Sequence, residues 1–281
     1  MDPTTQAEAA HHRKAALFRE LHARAGCFVI PNPWDAGSAR FLEQLGFEAL
    51  ATTSAGLAFT LGRPDGDAGR DETIANARAI VDATSLPVSA DLENGFSDTP
   101  AGVAETIRLA IEAGLAGGSI EDATGNPERP IYDLDHAVER VAAAVEAAHA
   151  APAPFTLTAR AENFLHGRPD LDDTLRRLQA FEKAGADVLF APGLPSLEAV
   201  RAVCASVGRP VSAIAGAGKP PFTVAQFAEA GVKRVSLGSL LSRAALGAML
   251  AAAREVREHG TFGFASNAMT SAVANGAMRK T

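Results

Sequence analysis

The chain has 281 residues, 47% of them hydrophobic and 21% charged, and a formal net charge of -7. That balance supplies enough apolar side chain for a large core, and a negative charge spread among interspersed bases argues against nucleic acid or an anionic membrane as a partner. Two cysteines, Cys27 and Cys204, in so long a chain point to a reducing compartment, Met1 to Arg19 lacks the basic-then-apolar order of a signal peptide, and no run approaches about 18 uninterrupted apolar residues, so the expected location is the cytoplasm.

Short apolar runs alternate with longer amphipathic ones. In chain order the pattern predicts strand Cys27–Pro31, helix Asp35–Leu45, strand Ala49–Thr53, helix Glu72–Ala83, strand Pro87–Asp91, helix Pro100–Ala113, strand Gly117–Glu121 and helix Leu134–Ala148. It continues with strand Phe155–Arg160, helix Leu171–Ala184, strand Asp187–Ala191, helix Leu197–Ser206, strand Pro210–Ile214, helix Thr223–Ala230, strand Arg234–Leu237 and helix Leu240–His259. Four of the helices end alike, at Gly46, Gly114, Gly185 and Gly231, where glycine takes the left-handed turn that lets the next strand begin. Eight βα units predict an α/β fold, a single (β/α)8 TIM-type barrel domain over residues 1–281. An open doubly wound sheet is the alternative, weakened because no Gly-x-Gly-x-x-Gly follows the first strand. The small-residue stretch 262–278 reads as one extra C-terminal helix, packed on another subunit or left as a solvent-facing tail.

Active sites of such barrels lie at the C-terminal ends of the strands. The third strand ends Asp91-Leu92-Glu93-Asn94-Gly95-Phe96, and period-two alternation puts Asp91 and Glu93 on one face. The fourth ends Glu121-Asp122, one strand spacing of about 4.8 Å away. Three anionic carboxylates in one pocket call for a cation or for protons, and an all-oxygen set without His or Cys suits Mg2+ or Mn2+ rather than zinc; the plainer reading is that these acids cap helices or pair with arginine. After the second strand, Thr53-Ser54-Ala55-Gly56 offers backbone N–H groups to an anion, and Asp65 lies within reach of a metal through water, unless the segment is an ordinary loop. The fifth strand ends Thr158-Ala159-Arg160-Ala161-Glu162-Asn163, where Arg160 either forks onto a substrate carboxylate or phosphonate, or pairs with Glu162 or Glu121 for structure. Cys27 and Cys204 read as small apolar residues. Of His11, His12, His22, His136, His149, His166 and His259, His166 alone is placed to visit the mouth, and Asp35 after Trp34 reads as a helix N-cap.

These pieces, in this order over roughly Cys27 to Leu246, resemble the isocitrate lyase / phosphoenolpyruvate mutase superfamily: Pro31-Asn32-Pro33-Trp34-Asp35, Thr53-Ser54-Ala55-Gly56 with Asp65, Asp91 to Phe96, Gly118-Ser119-Ile120-Glu121-Asp122, and Ala159-Arg160-Ala161-Glu162. The resemblance implies a (β/α)8 barrel and a homo-tetramer that exchanges C-terminal helices. It implies Mg2+ held by Asp91, Glu93 and Glu121 with Asp65 in the same shell. It also implies a small carboxylic-acid substrate held by Arg160 and by the segment Thr53, Ser54, Ala55 and Gly56, with Asn94 and Gly95 lining the site and Arg160, Glu121 and Asp65 as catalytic groups. Isocitrate and methylisocitrate lyases carry a loop cysteine as acid–base after the fourth strand. Here Asp122-Ala123-Thr124-Gly125-Asn126-Pro127-Glu128-Arg129-Pro130-Ile131-Tyr132 has neither Cys nor Lys, which argues against both activities and leaves Glu128, Arg129 or Tyr132 to stand in. The mutase's loop and its sixth-strand His are also missing, Ala191-Pro192-Gly193 standing there. The reading that results is a Mg2+-dependent lyase or decarboxylase working through an enolate on an oxaloacetate-like acid. The alternatives are a phosphonopyruvate mutase or hydrolase, and a silent barrel that only binds an acidic metabolite.

Overall fold

The computed structural model describes residues 3–216 and 221–279. Eight strands pair in parallel: β1 (Phe28–Ile30), β2 (Leu50–Ala51), β3 (Val88–Asp91), β4 (Gly117–Glu121), β5 (Thr156–Arg160), β6 (Val188–Phe190), β7 (Val211–Ile214) and β8 (Arg234–Ser236). Their order is β1-β8-β7-β6-β5-β4-β3-β2, and the Ala51 N–H donates to the Pro31 carbonyl at 3.0 Å where β1 and β2 face each other. This is the (β/α)8 barrel that the alternation of runs predicts. The strands differ from the sequence reading only by a residue or two at their ends.

The helices follow the same rule. Preceding the barrel is α1 (Pro3–Ala23); the crossover segments hold α2 (Ala36–Gln44), α3 (Ser54–Thr60), α4 (Arg70–Ala83), α5 (Pro100–Glu112), α6 (Leu134–His149), α7 (Leu171–Lys183), α8 (Leu197–Ser206) and α9 (Val224–Glu229). After β8 come α10 (Leu240–His259), a 3-10 turn over Gly263–Asn267 and α11 (Ser271–Ala277). Gly46, Gly114, Gly185 and Gly231 all take positive φ, between 81° and 105°, as the four repeated helix endings require. Asp35 caps α2, accepting from the Ser38 N–H at 2.7 Å. Two helices escaped the sequence reading. One is α3, which replaces the expected loop after β2. The other is α1, whose Phe18 and Leu21 close the N-terminal end of the barrel against Phe28, Ile30, Ala116 and Ala153. Gly117 makes that plug possible, because a Cβ there would lie 2.8 Å from Phe18 Cε1 and 2.5 Å from the Thr156 carbonyl.

The barrel interior is polar near this closed end. Arg234, 5% exposed, reaches across from β8 to donate to Ser212 Oγ (3.1 Å) on β7 and Thr158 Oγ1 (3.0 Å) on β5, with His22 Nε2 3.4 Å from its Nη1. His22 hydrogen-bonds the Phe18 carbonyl through Nδ1 at 2.8 Å and sits edge-on between Phe18 and Phe28. Burial, reinforced by the Arg234 charge, pushes its pKa down to about 3.

The C-terminal stretch differs from the single helix expected over 262–278. It forms two short helical pieces, and its end returns to α2, where Gln44 Nε2 donates to the Ala277 carbonyl at 3.2 Å. Along α10 only Ser242 is buried, and Leu246, Met249, Leu250 and Val256 stand exposed with Phe262, Met269 and Val273 beyond them. Cys27 and Cys204 are both free and half-buried, and no helix among the described residues is long and apolar enough to cross a membrane.

Candidate active site

The strand ends bring the predicted acids together. Registers align Glu121 with Arg160 and set Asp91 beside Ser119 and Thr158, two residues earlier, so β3, β4 and β5 each end on a charged side chain at the same rim. Arg160, with 14% of its side chain exposed, is the hub. Its Nη1 lies 2.9 Å from Asp91 Oδ1 and 3.2 Å from Glu121 Oε2, and its Nε donates to Glu162 Oε1 at 2.8 Å. The guanidinium also stacks over Phe190, 5.3 Å from the ring centroid. Three carboxylates hold its pKa well above the usual arginine value despite the opposing cost of burial, Glu162 contributing most.

The acids shift the other way. Burial, then the charges of Asp91 and Asp65, push the Glu93 carboxyl up to about 7. Glu121 is raised well above the ordinary carboxylate range, chiefly by burial, and Glu162 is raised for the same reason. Asp65 stands at the exposed rim, accepts from Ser54 Oγ at 3.1 Å, and is raised by desolvation ahead of repulsion from Asp91. Glu93 Oε1 is buried without a hydrogen-bond partner. One arginine thus faces Asp65, Asp91, Glu93, Glu121 and Glu162, an excess of negative charge that a further cation or protons would relieve. Among the described residues no three acids surround a common point as a ready-made ion cage. The Arg160 Nη1 bridges Asp91 and Glu121 instead, so the structural pairing and the cluster coexist.

The remaining predicted residues divide. Thr53 is the N-cap of α3, its Oγ1 accepting from the Gly56 N–H at 3.2 Å, and the Ser54 N–H points to Asp91 Oδ2 at 3.5 Å. The small residues after β2 therefore open a helix beside the acids, with Ala55 and Gly56 buried in its first turn. Asn94 turns inward, its Oδ1 accepting from the Phe96 N–H at 2.9 Å and its Nδ2 directed at the Thr124 carbonyl at 3.4 Å. Gly95 supplies a positive φ against Val103, where a Cβ would meet Cγ2 at 3.0 Å. Both shape the loop. His166 is half-buried, its pKa lowered by desolvation and then by Arg160, as expected of a histidine near the mouth. Tyr132, one of the three loop residues left to stand in for the missing cysteine, is not held as a free loop side chain. It is 2% exposed, its hydroxyl donates to Asp98, and burial and that bond push its pKa up to about 12, which sets it apart from the exposed Glu128 and Arg129. Glu128 and Arg129 are exposed in that loop.

A brace behind the site was not read from the sequence. Asp122, 2% exposed, accepts from the Glu162 N–H at 2.8 Å and pairs with Arg177 Nη1 at 3.1 Å, while Arg177 Nε holds Asp173 at 2.8 Å. The signal was present, since Arg177 falls on the buried stripe of α7 with Thr174, Leu178 and Phe181.

Comparison with known proteins gives this geometry a family. The model of phosphoenolpyruvate phosphomutase matches residues 18–257. The chain belongs to the phosphoenolpyruvate mutase/isocitrate lyase superfamily. A 2-methylisocitrate lyase of Aeropyrum pernix is 31% identical over 258 residues, spanning 89% of this chain and 82% of that protein. Among solved structures, a provisionally assigned lyase/mutase of Burkholderia cenocepacia J2315 superposes with a TM-score of 0.93 at 56% identity, covering 95% of this chain and 96% of that one. An oxaloacetate acetylhydrolase bound to its product oxalate superposes with a TM-score of 0.85 at 27% identity, covering 94% and 93%. The superfamily is one of lyases and mutases, and relatives named lyases bear out the reading as an enzyme of the carbon–carbon lyase kind.

Proposed function

We propose that this chain is a Mg2+-dependent lyase or decarboxylase that acts on a small 2-oxo or 2-hydroxy di- or tricarboxylic acid through an enolate, with an oxaloacetate-like acid as substrate. The observation that carries the reading is the ratio of five carboxylates to one guanidinium at the mouth, with the buried Glu93 Oε1 left without a partner. Oxygen-only donors in excess negative charge suit Mg2+ or Mn2+. Asp91, Glu93 and Glu121 would hold the ion, with Asp65 in the same shell. When bound, the ion supplies positive charge to the oxo and carboxylate oxygens of the substrate as negative charge develops there.

The chain's own residues do the rest. Arg160, released from part of its carboxylate contacts, offers a planar fork to a substrate carboxylate. Ser54 and Ala55 at the start of α3 would offer N–H groups beside Asp91. Glu121 and Asp65 are the groups proposed to handle protons at the mouth; their raised pKa belongs to the ion-free protein, and a bound cation would lower it. Decarboxylation asks least of a loop acid. A lyase acting on a 2-hydroxy diacid would draw on Glu128 or Arg129. The exposed apolar residues of α10 support a homo-oligomer, a tetramer that exchanges C-terminal segments. A cytoplasmic location rests on the two free cysteines in a chain of 281 residues.

The test is pyruvate release from oxaloacetate with Mg2+ and with EDTA, beside Asp91→Ala, with 2-methylisocitrate, 2,3-dimethylmalate and phosphonopyruvate as further substrates. Metal-dependent turnover above the free-ion background, lost in the variant, is expected. Cleavage of phosphonopyruvate alone would move the assignment to a C–P enzyme, in keeping with the family model's description. Binding of Mg2+ and oxalate with no turnover of any substrate would make the chain a silent binding barrel.

A further inference from the structure

We infer that Arg140 is a positioning residue that sets the acidic loop of β3 against the end of β4; its bearing on metal binding rests on the reading of this mouth as a divalent-cation site. Arg140 lies on α6 in a stripe otherwise made of Ala137, Val141, Ala144, Val145 and Ala148, and it is 1% exposed. A guanidinium there is costly unless its N–H groups are used. All its acceptors are main-chain carbonyls. Nη1 donates to Glu121 O at 3.2 Å, and Nη2 donates to Asn94 O and to Ser97 O, the latter at 3.0 Å. Its Nε–H has no partner. A Met would fill the same stripe without that cost, but it could not hold three carbonyls.

The three carbonyls are the ones that matter to the acids. Asn94 and Ser97 each directly follow a non-glycine residue in the left-handed region, Glu93 (φ +47°) and Phe96 (φ +54°), a conformation that persists only where surrounding contacts impose it. The third carbonyl belongs to Glu121 itself, and the Glu121 N–H donates to the Glu93 carbonyl at 2.9 Å. One side chain therefore ties together the two backbone segments that present Glu93 and Glu121. The guanidinium is held in turn. Its carbon sits 4.1 Å from the centroid of the Tyr132 ring, the Tyr132 hydroxyl donates to Asp98 just past Ser97, and the Tyr132 N–H donates to the Asp122 carbonyl at 2.9 Å. Tyr132 thus serves as the platform under Arg140 and as the base of the loop that carries Glu128 and Arg129.

The experiment is Mn2+ binding to the full chain, read from the EPR signal of the free ion, together with hydrogen exchange of the backbone amides of residues 93–97. Arg140→Met is expected to weaken Mn2+ binding by about tenfold or more, as loss of a group that orients metal-binding carboxylates does, and to speed exchange at 93–97. Arg140→Lys, able to reach some of the carbonyls, is expected to recover part of both. Phe227→Leu, a change in the core of α9 away from the site, is expected to lower thermal stability and leave Mn2+ affinity unchanged. A folded Arg140→Met with native Mn2+ affinity and native exchange overturns the inference. Should that variant fail to fold, Arg140→Lys decides, and native behaviour in both measurements overturns it. Should the native chain bind no Mn2+, the cation reading falls by itself, and native exchange at 93–97 in the Arg140 variants would still sink the positioning role.

Discussion

The two ends of the barrel each hold a buried arginine, and the two could hardly be more differently treated. At the open end Arg160 touches Asp91, Glu121 and Glu162, and its pKa rises. At the closed end Arg234 touches two hydroxyls and an imidazole, and burial followed by the like charge of Arg160 pushes its pKa down to about 10. The open end thus has negative charge left over after its arginine is counted, and the closed end has positive charge spread over neutral acceptors. The presence of a buried arginine says little about what a site will bind. The number of acids around it decides whether a cation or an anion is wanted.

The largest effect that would break this contrast comes from removing each charge while keeping volume. Arg160→Met leaves Asp91, Glu121 and Glu162 facing one another and should cost on the order of 3 kcal/mol in metal-free protein at pH 8, as breaking one side of a buried pair does. The loss should shrink in millimolar Mg2+, since a ligand that binds only the folded state stabilises it. Arg234→Met removes a charge whose partners are all neutral, and the gain from losing a buried cation offsets hydroxyls left without donors, for a net change within about 1 kcal/mol. Urea unfolding of both variants with and without Mg2+ makes the comparison, and equal losses without Mg2+ would show that the acid count is not what distinguishes the ends.

His22 gives the next effect. Its folded pKa, about 3, lies below the ordinary value of 6.5, so the folded state favours the neutral ring. The unfolded chain takes up a proton as pH falls through 6.5 and the folded chain does not. Stability is therefore complete above that pH and is lost between 6.5 and about 3, by about 2 kcal/mol at pH 5. Unfolding measured from pH 7.5 to 5 should show this decline in the native chain and a shallower one in His22→Gln. Arg234→Met should also flatten it, because the arginine charge is the second cause of the shift.

Much of the open end was legible in the sequence, because Asp91, Glu121 and Arg160 close β3, β4 and β5, whereas Glu93 lies past its strand in a left-handed turn that period-two alternation does not govern. The barrel was legible for a similar reason, as Gly46, Gly114, Gly185 and Gly231 repeat one local rule of chirality. What escaped depends on contacts between distant segments. Arg140 and Arg177 stand at the spacing of the buried stripes of α6 and α7, but that spacing does not say which distant carbonyls and carboxylates they hold. Tyr132 read as a loop residue because the antiparallel bridge between Ala123 and Ile131, which folds the loop back and buries the ring, joins residues with no local signature. The helix α3 was masked by Ser54-Ala55-Gly56, whose small side chains suit a close-approach loop as well as a first turn. In α1, a polar and alanine-rich stretch, nothing but the tertiary position of Phe18 and Leu21 marks the plug.

The smallest predicted effect runs opposite in sign to that of His22. Glu93 has a folded carboxyl pKa of about 7, above the ordinary 4.5, so the folded state disfavours its charged form. The penalty is absent below 4.5, grows as pH rises, and is complete above about 7. In EDTA the native chain should therefore gain stability relative to Glu93→Gln as pH falls from 7.5 to 5, by on the order of 1 kcal/mol once solvent at the open mouth is allowed for. The same fall in pH costs stability at the closed end, so these two titrations oppose one another in the native profile, and each single variant removes one of them. With saturating Mg2+ the Glu93 part should vanish at pH 7.5, since a cation at the mouth favours the charged carboxylate, whereas the His22 part should stay. A Glu93→Gln profile parallel to the native one in EDTA would mean that the orphaned oxygen carries no unfavourable charge, and with it the strongest argument for a cation at this end would go.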